Sequence, residues 1–131
     1  MLLQSALDQP GLTDLVYNGH ERGYALVAGI WRALPPLESE EVLVNEVREL
    51  CARGGRHIDL ANPFADVSVD GYRVHGVLAA GVTERTLLSI RSHSNNVMPL
   101  SRELQEIVKS RSNFLITGAT GSGKTTLLRS M

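Results

Sequence analysis

The sequence contains one cysteine, few aromatic residues and no long apolar run. Cys51 has no second cysteine with which to form a disulfide, and its position on the apolar side of an expected helix indicates a small core residue. No run approaches the roughly eighteen apolar residues of a membrane-spanning helix, so we expect no transmembrane segment. The N-terminal residues lack a basic segment and include Asp8, which argues against a signal peptide. These absences predict a soluble cytoplasmic protein.

Patterns that would indicate a metal site or a nucleic-acid-binding surface are also missing. The four histidines are scattered, with no cysteine or carboxylate at ligand spacing around them. The net charge is −1 but uneven, since residues 1–70 carry 11 acidic and 5 basic residues and residues 71–131 carry 3 acidic and 8 basic ones. A basic C-terminal part suits a polyphosphate ligand, yet its charge is too modest to predict direct contact with nucleic acid.

Residues 1–91 are predicted to form a small α+β domain, with antiparallel strands and a packed helix. Alternating apolar residues between turn signals predict its strands, which are expected at residues 13–17, 24–28, 30–34 and 86–91. Asp70-Gly71, flanked by alternating residues, predicts a hairpin between two more strands. Ser39 is a suitable N-cap for a helix that ends at Gly54-Gly55. The apolar face of this helix is expected to hold Leu43, Val47, Leu50 and Cys51.

The composition changes after this region. Residues 92–99 are polar and contain Pro99, as a linker between domains would. A new helix is expected from Ser101, followed by a short apolar strand at 114–116 and a glycine-rich loop. Residues 100–131 are therefore predicted to be the truncated start of an α/β domain, in the order helix, strand, loop, helix.

The glycine-rich loop matches the pattern G-x-x-x-x-G-K-[ST] from Gly118 to Thr125, which is the Walker A motif of P-loop proteins. Glycine permits positive φ and leaves no Cβ between the backbone N–H groups and a ligand, so the loop can surround a phosphate. The amides at the start of the following helix add to this anion site. The residues expected to bind nucleotide here are Gly118, Ala119, Thr120, Gly121, Ser122, Gly123, Lys124, Thr125 and Thr126.

Two of these residues have more specific expected roles. Lys124 is the expected catalytic residue, because its ammonium can reach the β- and γ-phosphate oxygens of ATP. The Thr125 hydroxyl is the expected metal ligand, on Mg²⁺ that keeps water and phosphate oxygens as its other ligands. The pattern thus predicts ATP and Mg²⁺ as cofactors and a RecA-like P-loop ATPase domain.

Several segments together resemble the type II/type IV secretion ATPases, and most closely the tight-adherence (Flp-type) pilus assembly ATPases. The resemblance is carried by TDLVYNG (13–19), GGRHIDLANPFADVSVDGYRVHGVL (54–78), LLSIR (87–91) and NFLITGATGSGKTTLL (113–128). Two departures occur. Leu78-Ala79-Ala80-Gly81 stands where relatives usually have a Pro-Pro pair, and Ser92-His93 replaces a basic or aromatic pair.

The resemblance implies a motor ATPase that powers pilus assembly or protein secretion. It implies hexameric rings, with nucleotide between the N-terminal and ATPase domains, and with inner-membrane assembly or secretion components as partners. It also implies a cytoplasmic location, with a peripheral position at the inner face of the membrane as a further option. Arg73 (in D-G-x-R) and Arg91 (in S-I-R) match positions that contact nucleotide phosphates, although each also suits a solvated strand residue.

The acidic box, Walker B motif and histidine box that should follow the loop are absent. We therefore expect an N-terminal fragment of a longer ATPase, with no ATP turnover by these 131 residues alone. Two alternatives remain open at this stage. One is a conjugation-type DNA-transfer ATPase of similar layout. The other is a non-catalytic oligomerisation or interaction module, in which a partner or further chain must cover the apolar 114–116 segment.

Overall fold

A computed structural model describes residues 3–81, 83–92 and 98–131. Internal contacts divide the chain into two units, Met1–His93 and Ser94–Met131. Residues 93–97 of the expected linker lie outside the described residues, and Ser92 is the last residue of a strand. The elements of the first unit are α1 (Gln4–Leu7), β1 (Leu12–Asn18), β2 (Gly23–Val27), β3 (Ile30–Leu34), α2 (Glu40–Arg53), β4 (Phe64–Val69), β5 (Tyr72–Val77) and β6 (Leu87–Ser92). Those of the second are α3 (Arg102–Lys109) and α4 (Lys124–Ser130).

The first unit is built on one six-stranded antiparallel sheet with the order β3-β2-β1-β6-β5-β4. Two three-stranded meanders meet in it, because β6 pairs with β5 on one side and with β1 on the other. The antiparallel α+β prediction is confirmed. The joining of the two meanders through β6 was not anticipated.

Two tight turns hold the hairpins in register. Between β4 and β5, Asp70 and Gly71 have φ of +50° and +81°, as a two-residue type I′ turn requires. Ala28 and Gly29 make the equivalent turn between β2 and β3, with φ of +50° and +79°. Asp70-Gly71 thus forms the hairpin that the sequence predicts.

Helix α2 packs on the inner face of the sheet, chiefly against β4 and β5. The Ser39 hydroxyl accepts a hydrogen bond from the Val42 N–H at 3.3 Å, which is the expected cap. The predicted apolar residues of α2 are all buried, namely Leu43, Val47, Leu50 and Cys51. The helix approaches β5 so closely that a Cβ at Gly76 would lie 2.6 Å from Cγ1 of Val47. Glycine is therefore the residue that allows this approach.

Glu40, in the first turn of α2, connects three segments through hydrogen bonds. Its Oε1 accepts a hydrogen bond from the Thr86 N–H at 2.6 Å, just before β6. Its Oε2 accepts one from the His20 N–H at 3.1 Å, in the β1–β2 turn, and lies 3.2 Å from His20 Nδ1. Burial opposes ionisation of Glu40, but the donors on Thr86 and His20 outweigh it, so its pKa lies below the usual 4.5.

This pKa direction makes a stability prediction. Because the folded-state pKa of Glu40 is below its unfolded value, its stabilisation is complete above about pH 4.5 and is lost as pH falls through the lower folded value. We expect Glu40→Gln to lower the free energy of unfolding by about 1 kcal/mol at pH 7, with a smaller difference at more acidic pH. Urea unfolding at several pH values measures this. Glu41→Gln, exposed in the same helical turn, is the control, and an equal loss in both variants would contradict the assignment.

The second unit carries two short helices. Helix α3 begins after Ser101, whose hydroxyl accepts from the Leu104 N–H at 3.4 Å. The predicted strand at 114–116 is wrong for this structure, in which residues 112–119 form no strand. The physical reason is that a strand needs a hydrogen-bonded neighbour, and no described strand pairs with this segment. Phe114 and Leu115 are 46% and 86% exposed, respectively.

Candidate functional site

The glycine loop, residues 118–123, leads directly into α4, which begins with the last two residues of the motif. Gly121 and Gly123 have φ of +78° and +83°, in the left-handed region that favours glycine. Gly123 is the N-cap residue of α4, which begins at Lys124. At Gly118, a Cβ would lie 2.8 Å from the Ser122 hydroxyl oxygen, so a side chain there would require that hydroxyl to move. The loop and the helix after it follow the predicted order.

Lys124 folds back over this loop. Its Nζ donates hydrogen bonds to the carbonyl oxygens of Gly118, at 2.8 Å, and Ala119, at 2.5 Å. These contacts hold a positive charge beside the loop backbone. The glycine loop is largely exposed, so its Lys124 ammonium is within reach of a ligand from solution.

The chemistry of this arrangement suits a phosphate group. An ammonium and a loop backbone with glycine at 118, 121 and 123 supply donors and positive charge, which are what a phosphate oxygen needs. Thr125 is exposed in the first turn of α4, where its hydroxyl can serve as one metal ligand. Within the described residues no three His, Cys, Asp or Glu side chains cluster. Such a metal would therefore rely on water and phosphate oxygens, as Mg²⁺ commonly does.

The two predicted arginines lie together on the outer face of the sheet, opposite α2. Arg73 on β5 and Arg91 on β6 are Cα partners in the strand register. Both guanidinium groups are exposed, with 62% and 75% of the side chain accessible. Both arginines line a shallow depression of about 270 Å³, together with Asp66, His75 and Ser89.

Each arginine is paired with a carboxylate on a neighbouring strand. Arg73 donates from Nε to Oδ1 of Asp66 at 3.1 Å and from Nη2 to Oδ2 at 2.6 Å. Arg91 donates from Nε to Oδ1 of Asp14 at 2.7 Å. The hydrogen bonds from Arg73 lower the pKa of Asp66, and the same pairing raises the pKa of Arg73.

The structure thus gathers the loop residues within the second unit and the two arginines within the first. The carboxylate partners Asp14 and Asp66 were not predicted. A signal for Asp66 was available, because the Asp70-Gly71 turn sets the β4–β5 register and places Asp66 diagonally across from Arg73. Asp14 could not be found in this way, since its pairing depends on the long-range contact of β1 with β6.

Comparisons with known proteins find similarity to secretion-system and conjugal transfer proteins. Residues 81–131 match the family model described as Type II/IV secretion system protein. The chain is 28% identical over 151 residues to a putative conjugal transfer protein of Mycobacterium tuberculosis, an alignment that covers 99% of this chain and 43% of that protein. In sequence, the chain is similar to the type II/IV secretion ATPase superfamily.

Solved structures show the same fold. One is the VirB11 ATPase of the Brucella suis type IV secretion system in complex with sulphate. The superposition covers 96% of this chain and 40% of the VirB11 chain, with a TM-score of 0.57 and 15% sequence identity. The pilus retraction motor PilT with bound ADP matches 99% of this chain and 40% of its own, with a TM-score of 0.61 and 21% identity. The chain spans about two fifths of the length of these relatives. Within its described residues, no helix has the length and apolar character needed to cross a bilayer.

Proposed function

We propose that this chain is the N-terminal part of an ATP-binding motor ATPase that powers pilus assembly or protein secretion, as in the Flp-type ATPases. The observation that carries the proposal is the glycine loop, with Lys124 held over the Gly118 and Ala119 carbonyls at the start of α4. This loop lies in the segment that matches the secretion family model. ATP hydrolysis belongs, in this proposal, to the longer protein.

The proposed nucleotide site assigns separate tasks to the loop residues. Backbone N–H groups between Gly118 and Gly123 surround the β-phosphate, and the Lys124 ammonium moves from the carbonyls to phosphate oxygens. Thr125 supplies a hydroxyl to Mg²⁺, and Thr126 adds a donor in the same helical turn. The PilT structure with bound ADP and the VirB11 structure with sulphate support this assignment by likeness of fold alone.

Arg73 and Arg91 are proposed to contact the same phosphates. A planar guanidinium binds a phosphate through two parallel hydrogen bonds, and both guanidinium groups are exposed on the sheet. We further propose, from the superfamily resemblance, a hexameric ring that works in the cytoplasm with membrane-bound assembly components.

A specific observation favours a second candidate, a DNA-transfer motor. The M. tuberculosis relative, aligned over 99% of this chain, is named as a putative conjugal transfer protein. In that case the nucleotide site is the same and the transported substrate differs. Binding of single-stranded DNA to the chain, measured at physiological salt, would favour this candidate over the pilus or secretion motor.

Phosphate selectivity tests the nucleotide site. The loop and Lys124 are proposed to bind the β- and γ-phosphates, so we expect ADP and ATP to displace a fluorescent ATP analogue from the chain in the presence of Mg²⁺. AMP, which lacks both groups, should compete at least about tenfold more weakly, because it forgoes charge-assisted hydrogen bonds. Fluorescence anisotropy measures the competition. Equal competition by AMP, or no binding of the analogue, would contradict the proposal.

A further inference from the structure

The outer face of the sheet places two like charges side by side. Arg73 and Arg91 are direct cross-strand partners, an arrangement that is unfavourable by itself. Asp66 on β4 and Asp14 on β1 flank the pair, so the charges across the neighbouring strands β1, β6, β5 and β4 are negative, positive, positive and negative. The two carboxylates offset the repulsion, and these four side chains together carry no net formal charge.

The carboxylates occupy the donors that a phosphate would use. Asp66 accepts from both Nε and Nη2 of Arg73, the two-pronged edge of the guanidinium. A phosphate binds arginine through the same kind of parallel pair. Asp14 likewise occupies Nε of Arg91. Phosphate and carboxylate are therefore alternative partners for the same nitrogen atoms.

Exposure indicates which partner moves. The Asp14 side chain is 17% exposed and lies close to the sheet, whereas Arg91 is 75% exposed. Asp66 and Arg73 are 45% and 62% exposed, respectively. A guanidinium on a long side chain can swing towards solvent, while the shorter carboxylate stays near the strand. Ion pairs this exposed are individually weak, so they lower the affinity of the arginines for a phosphate without preventing its binding.

We propose that Asp14 and Asp66 are internal competitors of the nucleotide phosphates, which hold Arg91 and Arg73 against the sheet until a polyphosphate displaces them. This inference rests on the proposed function, in which both arginines contact phosphate. The two aspartates are positioning residues, and they lower the affinity of the arginine pair for polyphosphate. The arginines then engage only a ligand with enough charge to replace the carboxylates.

The test follows the two arginines separately. In the ¹⁵N-labelled 131-residue chain, the Nε–H resonances of Arg73 and Arg91 are recorded by NMR while tripolyphosphate is added. Asp66→Asn is expected to reduce the concentration at the midpoint for Arg73 about two- to fivefold, the range for one exposed ion pair. Asp14→Asn should do the same for Arg91. The control is Glu49→Gln, which makes the same charge change on the exposed side of α2, away from the outer face. Both midpoints should stay within about 1.5-fold of the wild-type values, because salt screens an exposed charge at that distance.

The possible results separate the two levels of the proposal. In one outcome, both resonances move in the wild type, but the midpoints are the same or higher in Asp66→Asn and Asp14→Asn. The proposed competition by the aspartates is then overturned, whereas the proposed contact of the arginines with phosphate is still supported. If the resonances move in no variant, both fail. Far-UV circular dichroism of each variant confirms the fold. Because Asp66 is the more exposed carboxylate, its variant alone suffices if Asp14→Asn fails to fold.

Discussion

Replacement of Lys124 by alanine is expected to weaken nucleotide binding about 10- to 100-fold, since it removes charge-assisted hydrogen bonds to phosphate. The same change removes the ammonium that bridges the Gly118 and Ala119 carbonyls, so the loop also loses an internal support. Alanine has the highest helix propensity, and we therefore expect α4 itself to persist. Fluorescence titration with an ATP analogue measures the affinity.

Two further substitutions make this test specific. Lys109→Ala removes an exposed ammonium from the end of α3 and should leave the affinity unchanged. Lys124→Arg keeps the charge but replaces a compact ammonium with a larger planar group, so we expect an intermediate loss. Undiminished binding by Lys124→Ala would contradict the proposed role of the glycine loop. An equal loss in Lys109→Ala would instead indicate a general effect of charge.

Leu43→Ala is expected to have the largest effect on stability, lowering the free energy of unfolding by about 2–5 kcal/mol. Leu43 is 0% exposed, in the centre of the α2 face that covers the sheet. Truncation to alanine removes buried apolar atoms and leaves a cavity that the packed neighbours cannot fully close. Urea unfolding followed by circular dichroism measures the loss.

The matched control is a leucine of the same unit outside the core. Leu60 is 70% exposed, so Leu60→Ala should change the free energy of unfolding by less than about 0.5 kcal/mol. A loss below about 1 kcal/mol in Leu43→Ala would mean that α2 does not pack on the sheet as described. The two leucines therefore separate burial from side-chain type.

Local patterns predicted most of the individual elements. Ser39 caps α2, Asp70-Gly71 forms its hairpin, and the alternation along β5 places Arg73 and His75 on one face. Each of these depends on residues within a few positions of one another, where propensity and side-chain periodicity act. Such features can be read from the order of amino acids.

The strand predicted at 114–116 is absent because it depends on residues far away in the sequence. Its apolar residues suit a buried strand, but a strand exists only through hydrogen bonds to a neighbour, and no described strand provides them. Glu46 shows a related limit. It is only 6% exposed on α2 and accepts a hydrogen bond from the Leu3 N–H at 3.0 Å, a contact across 43 positions. No local pattern predicts that partner.

The sequence by itself determined the glycine loop, the turns, the cap of α2 and the residue types available for phosphate chemistry, because these depend on short spacings. Only the tertiary structure decided that β6 joins two meanders into one sheet. The β5–β6 pairing places Arg73 beside Arg91, and the β1–β6 pairing brings Asp14 to Arg91 from 77 positions away. The physical reason is that strand register between distant segments is set by the burial of the apolar residues on the inner face of the sheet in one core. The positions of charges on the other face follow from that burial.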